Sequence, residues 1–255
     1  MAVGEVTASP AAYERTILRV GAACAVVGPA AILIASIIHP KLTTSNEKAL
    51  RMVHDSSVWV PVHVVIVTAF FLYLAGLVAV WYSLSRGRSR ALAQFALASA
   101  LVGGAVTFPQ LALDGFSLSE AANRWADASL ADKPFELAVW SALDELQLSL
   151  LAMVLMLFFG VTFVLYGLAV AVGDRYPARL GWIAAAAGAG SFVVGLVFLV
   201  AGISTVIVVV FPIFISVASL WLVVIGVLLW RQTGAAAFDD RRSPDAPTRA
   251  PGPAG

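Results

Sequence analysis

Six long apolar stretches govern what this chain can fold into: Ile17–Ile38, Trp59–Leu84, Ala91–Leu113, Gln147–Val172, Gly181–Ala201 and Thr205–Trp230. A bilayer core about 30 Å thick needs about 20 apolar residues per helical crossing, and every stretch meets that length. None holds an internal Lys or Arg, apart from Arg19 near the start of the first. The chain is 60% hydrophobic and 12% charged, against roughly half and a quarter in soluble domains. An ordinary soluble domain is thereby excluded. The predicted fold is all-α: a polytopic membrane protein with six transmembrane helices in a bundle and short amphipathic helices in two outer loops. The expected layout is an N-terminal tail over 1–14, the six-helix domain over 15–230 and a C-terminal tail over 231–255. That last tail is rich in Ala, Pro, Gly, Asp and Arg, a composition expected to stay disordered.

Charge placement gives the topology. With a cytoplasmic N-terminus, the inner segments carry Arg15, Arg19, Arg86, Arg88, Arg90, Arg175, Arg179, Arg231, Arg241, Arg242 and Arg249. The outer ones carry Lys41, Lys48, Arg51, Arg124 and Lys133. This excess obeys the positive-inside rule and predicts a multi-pass membrane protein with both termini cytoplasmic. The first stretch exceeds a signal-peptide h-region, and Glu5 and Glu14 dilute its basic flank, so it is expected to stay uncleaved. Cys24 is the only cysteine, which excludes an intramolecular disulfide.

The two long outer segments have helical patterns. In Pro40–Val58, Ser45 is expected to cap a helix over Asn46–His54. In Gly115–Leu146, a helix is expected over Ser119–Ala128, then another capped by Asp132 with Pro134 in its first turn. If the latter ran unbroken to Val172 it would be about 60 Å long. It must project outward or bend near Ser141–Gln147. Gly202–Ser204 allows only a tight turn between the fifth and sixth spans, and the small residues Ala184–Gly190 suit close helix packing. Trp59, Trp125, Trp140, Trp182 and Trp230 read as interface anchors. Pro29, Pro109 and Pro212 lie within spans, where proline bends a helix and frees a carbonyl.

All three histidines (His39, His54 and His63) and nine of the fifteen carboxylates fall in the outer half. His39 ends the first span, and His63 sits one turn inside the second, four residues after Trp59. Gly103, Thr107, Gln110 and Asp114 share one face of the third span at spacings of four, three and four. The fourth opens with Asp144, Glu145 and Gln147. Polar groups in a bilayer are costly, by roughly 2.5–3.5 kcal/mol for an acid at mid-membrane, and turn inward. His39, His63, Asp114 and Glu145 can therefore meet at similar depth. Two neutral imidazoles and a carboxylate suit a zinc-like divalent ion, with Glu145 or Asp144 as general base and Gln110, Thr107 and Trp59 completing a polar pocket. A haem between His39 and His63 would be poorly buried so near one edge. The structural alternative has His63 bonded to Asp114 or a backbone carbonyl, His39 facing water, and Asp144 and Glu145 solvated. On that alternative no cofactor is expected.

His39-Pro40, Trp59-x-x-x-His63 and Asp114-Gly115 followed by an outer helix carrying Trp125 make a pattern spanning nearly all of Arg15–Trp230. It resembles a family of six-to-seven-span integral membrane proteins of actinobacteria known as a domain of unknown function. The resemblance implies topology and no activity. Three functions compete. The leading one is non-enzymatic, a membrane protein binding lipid, a protein partner or a second copy of itself. The others are a metal-dependent hydrolase of a lipid or amphiphile, and a small-molecule or proton-coupled transporter using Asp114, Gln110 and the prolines. Basic residues scattered at loop ends exclude a nucleic-acid face.

Overall fold

Every apolar stretch is a helix in the computed structural model, which describes residues 10–40, 43, 45–85 and 87–242. The tails before Pro10 and after Arg242, and the charged Lys41 and Arg86, lie outside the described residues. The helices are α1 (Pro10–Ile38), α2 (Asn46–His54), α3 (Trp59–Ser83), α4 (Arg90–Ala112), α5 (Leu118–Asp127), α6 (Lys133–Met156), α7 (Thr162–Val172), α8 (Ala178–Ala201) and α9 (Thr205–Arg242). A π-helical turn over Leu113–Ser117 joins α4 to α5, and another over Leu157–Val161 joins α6 to α7. Six helical rods among the described residues are long and apolar enough to cross a membrane. An even number of crossings puts the described ends of α1 and α9 at one end of the bundle. The connections carrying α2 and α5 lie at the other.

Small residues set the packing. A Cβ on Gly76 of α3 would stand 2.6 Å from the Cα of Ala25 in α1, and one on Gly188 would stand 2.6 Å from the backbone nitrogen of Val164. Backbones this close give the dispersion contacts that hold helices together where lipid removes the hydrophobic drive. The central core adds an aromatic stack in which Phe158 meets Phe70 and Tyr73 at ring distances of 4.8 and 5.7 Å. Gly202 turns the chain between α8 and α9 with φ of +76°, a conformation that favours glycine.

Several details differ from the sequence expectation. The fourth rod runs without a break in its α-helix through Ser141–Gln147, and its irregularity is the π turn at Leu157–Val161. Ser141 and Ser149 return their hydroxyls to the carbonyls of Leu137 and Glu145 in their own helix. Around the π turn, where the carbonyl ladder loosens, Leu157 O accepts from Ser99 and Thr162, and Leu155 O accepts from Ser191. Those three hydroxyls supply what lipid cannot. Ser45 and Asp132 occupy N-cap positions without capping through their side chains; Asp132 accepts from Ser129 Oγ at 2.6 Å instead. The first span begins earlier, at Pro10, and α9 continues past Trp230 to Arg242.

The tryptophans divide. Trp182 and Trp230 are exposed, as interface anchors are, whereas Trp59, Trp125 and Trp140 are buried. These three form a second, smaller core with Leu50 and Val53 of α2 and Leu118 and Ala122 of α5. Two cations approach the Trp125 ring, Lys133 Nζ at 4.1 Å and the Arg51 guanidinium at 5.2 Å from its centre. Lys133 also donates to the carbonyls of Trp125 and Ala126, closing the C-terminus of α5. Asn46 donates to Ser141, tying α2 to α6. The result is a cap of α2, α5 and the first turns of α6 over one end of the bundle.

Candidate metal centre

Beneath that cap, three side chains from three different helical segments converge. His39 comes from the residue after α1, His63 from the first turns of α3 and Asp114 from the π turn after α4. Their donor atoms all lie within 4.8 Å of one another. His63 is fully buried, while His39 and Asp114 are half-buried.

The π turn makes this convergence local. Its extra residue re-aims the chain beyond α4, and Gly115 lets the backbone touch the His63 ring. A Cβ at Gly115 would stand 2.7 Å from Cβ, Cγ and Cδ2 of His63. The carbonyl of the same residue, Gly115 O, accepts from Trp59 Nε1 at 3.0 Å. Trp59 packs against both imidazoles, 4.8 Å from the His39 ring and 4.7 Å from that of His63.

Hydrogen bonds fix the protonation pattern. His39 Nδ1 lies 2.7 Å from Pro40 O, and His63 Nδ1 lies 2.9 Å from Trp59 O. A carbonyl oxygen only accepts, so both Nδ1 atoms carry the proton and donate it. In the neutral rings each Nε2 is therefore a bare lone pair. These lone pairs face each other at 3.4 Å, and His63 Nε2 also faces Asp114 Oδ2 at 3.3 Å. Three electron-rich atoms pointed together repel unless a proton or a metal ion lies between them. The other carboxylate oxygen, Oδ1, accepts from Gln147 Nε2 at 2.9 Å. Each of the three donors thus has its far side held by a second group, the arrangement that orients metal ligands.

Two of the three donor distances suit a tetrahedral ion. Bonds of about 2.0–2.1 Å to nitrogen and oxygen put neighbouring donors about 3.3–3.4 Å apart, which matches the two short edges here. The third edge, between His39 and Asp114, reaches 4.8 Å, more than two such bonds can span, so one of these half-buried side chains must move inward to close the site. Asp144 is half-buried on α6, three residues before Gln147, and is not one of the clustered donors.

Not every expected residue joins the site. Glu145 is exposed and stands outside the donor cluster. Thr107 is buried but returns its hydroxyl to Gly103 O in its own helix, and Gln110 is buried on the same helix. His54 is exposed and pairs with Asn123 at 3.1 Å. Gln147, to which the sequence assigned no role, holds Asp114; its one signal was an amide opening a long apolar run. The Pro40 and Trp59 carbonyls and the nearness of Gly115 had no sequence signal.

Burial, opposed by the neighbouring Asp114 carboxylate, holds the His39 imidazole below its ordinary pKa of 6.5. The folded protein favours the neutral ring, so the stability this contributes is complete above 6.5 and is lost as pH falls through the lowered value. Metal binding needs the same neutral form. Bound ion is therefore expected to stay at neutral pH and to leave on acidification below 6.5. A zinc competition titration from about pH 7.5 to about pH 5 checks this; an affinity flat across that window would contradict it. No known protein family, curated protein or solved structure matches the chain.

Proposed function

We propose that this chain is a membrane-embedded metalloprotein that holds one zinc-like divalent ion on His39 Nε2, His63 Nε2 and Asp114, and that it hydrolyses a lipid or other amphiphile at that site. The observation that carries the metal reading is the pair of 3.3–3.4 Å donor separations between lone-pair atoms, each neutral ring holding its proton on the opposite nitrogen. Three protein donors leave a fourth position for water or substrate, as catalytic zinc sites do and closed structural sites do not. A bound ion would supply a Lewis acid there. Asp144, half-buried and outside the donor set, is the carboxylate this reading assigns to take a proton. The cluster sits where the spanning helices meet the cap, at one end of the apolar spans. The positive-inside bias supports cytoplasmic termini in a bacterial plasma membrane, which puts the site on the outer face. Lipid- or partner-binding is compatible with the same fold but does not draw on this donor geometry; a proton shared among the imidazoles and Asp114 is the reading that competes for it.

Turnover of short-chain lipid esters and phosphodiesters by the purified protein tests the proposal. Activity should vanish with a chelator and return with zinc, and Asp144→Asn should keep the metal while slowing turnover. A metal-loaded protein inert toward every amphiphile offered would sink the hydrolase and leave the metal site standing.

A further inference from the structure

At the opposite end of the bundle, small residues leave a groove between α1 and α9. Its cavity of about 260 Å³ is lined by Ala23, Val26 and Val27 on one side and Val227, Trp230 and Arg231 on the other. The inner wall is tight, since a Cβ on Gly226 would stand 2.9 Å from that of Ala25. Outside that contact, Ala22 and Ala23 are too short to fill the space between the helices. The groove is apolar along its length and cationic at its mouth. Arg231 is exposed there beside the exposed Trp230. Arg19 precedes Ala22, Ala23 and Val26 by three, four and seven residues, which places it on the same helix face one turn nearer the mouth. It reaches across to α9, donating to Thr233 O at 3.4 Å.

We infer that this groove binds an anionic phospholipid, with part of an acyl chain between α1 and α9 and the phosphate on Arg231 and Arg19. An apolar channel within a membrane-spanning bundle selects a hydrocarbon chain, and two guanidiniums at its end select a negative headgroup. Arg presents a planar fork of donors that matches a phosphate bidentately, and basic pockets between membrane helices recognise anionic lipid headgroups. Trp230 marks the headgroup level, where amphipathic rings settle. The site is separate from the His39–His63–Asp114 cluster and does not depend on it.

Native mass spectrometry of the detergent-purified protein, titrated with phosphatidylglycerol or phosphatidylcholine, tests the inference. The wild type is expected to retain phosphatidylglycerol preferentially, and Arg231→Gln to lower that preference about fivefold. Ala23→Phe fills the groove while leaving both arginines, and is expected to lower retention of both lipids. Equal retention of the two lipids by the wild type would overturn the proposal, as would a preference unchanged in both variants. A lipid-free dimer lost in Ala23→Phe would also overturn it, by assigning the groove to a second copy of the chain.

Discussion

Asp114→Asn will lose the metal from a protein that still folds. The substitution keeps the side chain's shape and removes its charge. With its oxygen toward Gln147, the new amide still accepts the bond that Oδ1 accepts at 2.9 Å. Its NH2 then faces His63 Nε2, a bare acceptor 3.3 Å from Oδ2 in the wild type, and donates to it. The partners of Asp114 in the wild type, Gln147 and His63, are then both satisfied without an ion. The variant lacks the only anionic donor in the cluster, and with it the charge that makes a divalent cation favourable among two neutral rings. Loss of a single outer partner costs about 10–100-fold in metal affinity; loss of a direct anionic donor should exceed about 100-fold. Turnover should fall with it. Zinc competition on the two proteins, with helicity measured alongside, checks this, and an unchanged affinity in the variant would remove Asp114 from the donor set.

Gly115→Ala should damage the site from behind. Its Cβ would sit 2.7 Å from three carbons of the His63 side chain, closer than real carbon contacts come. His63 is fully buried and held by Trp59 O, so the ring has nowhere to retreat. Either the imidazole leaves its position or the π turn shifts and stretches the 3.0 Å bond from Trp59 Nε1 to Gly115 O. Overpacking of this kind costs about 1–3 kcal/mol, and metal affinity should drop as the Nε2 atoms lose their alignment. Gly104→Ala is the matched control, because its Cβ meets only the Leu74 methyls at 3.2 Å, the mobile end of a flexible side chain. Thermal unfolding of both variants separates the cases. Equal midpoints would mean that the close approach at Gly115 constrains nothing.

The six spans are written in hydropathy, and α2 begins and ends at Asn46 and His54 as its helical spacing predicts. The shared depth of His39, His63 and Asp114 was also readable, since distance along a membrane helix counts out in residues. The π turns were not. A run such as Leu157–Val161 is uniformly apolar, and its irregular backbone is supported by Ser99, Thr162 and Ser191, from three helices. The Asp114 turn is likewise supported from elsewhere, by Trp59 and Gln147. Trp59 shows the limit plainly. A tryptophan at a span's first residue has the same sequence signature whether it faces lipid headgroups or a core. Only the cap built by α2 and α5, from separate loops, buries it. Glu145 and Asp144 could not be ranked by type; exposure separates them.

The most direct test of the central claim is elemental analysis of the wild-type protein, purified in detergent without chelator and then titrated with zinc, beside His63→Ala. The donor geometry predicts one divalent ion per chain in the wild type, bound saturably, and none in a folded His63→Ala. A wild type that takes up no stoichiometric ion, or a variant that binds as much, would contradict it. Either result would leave the facing imidazoles to share a proton with Asp114 instead.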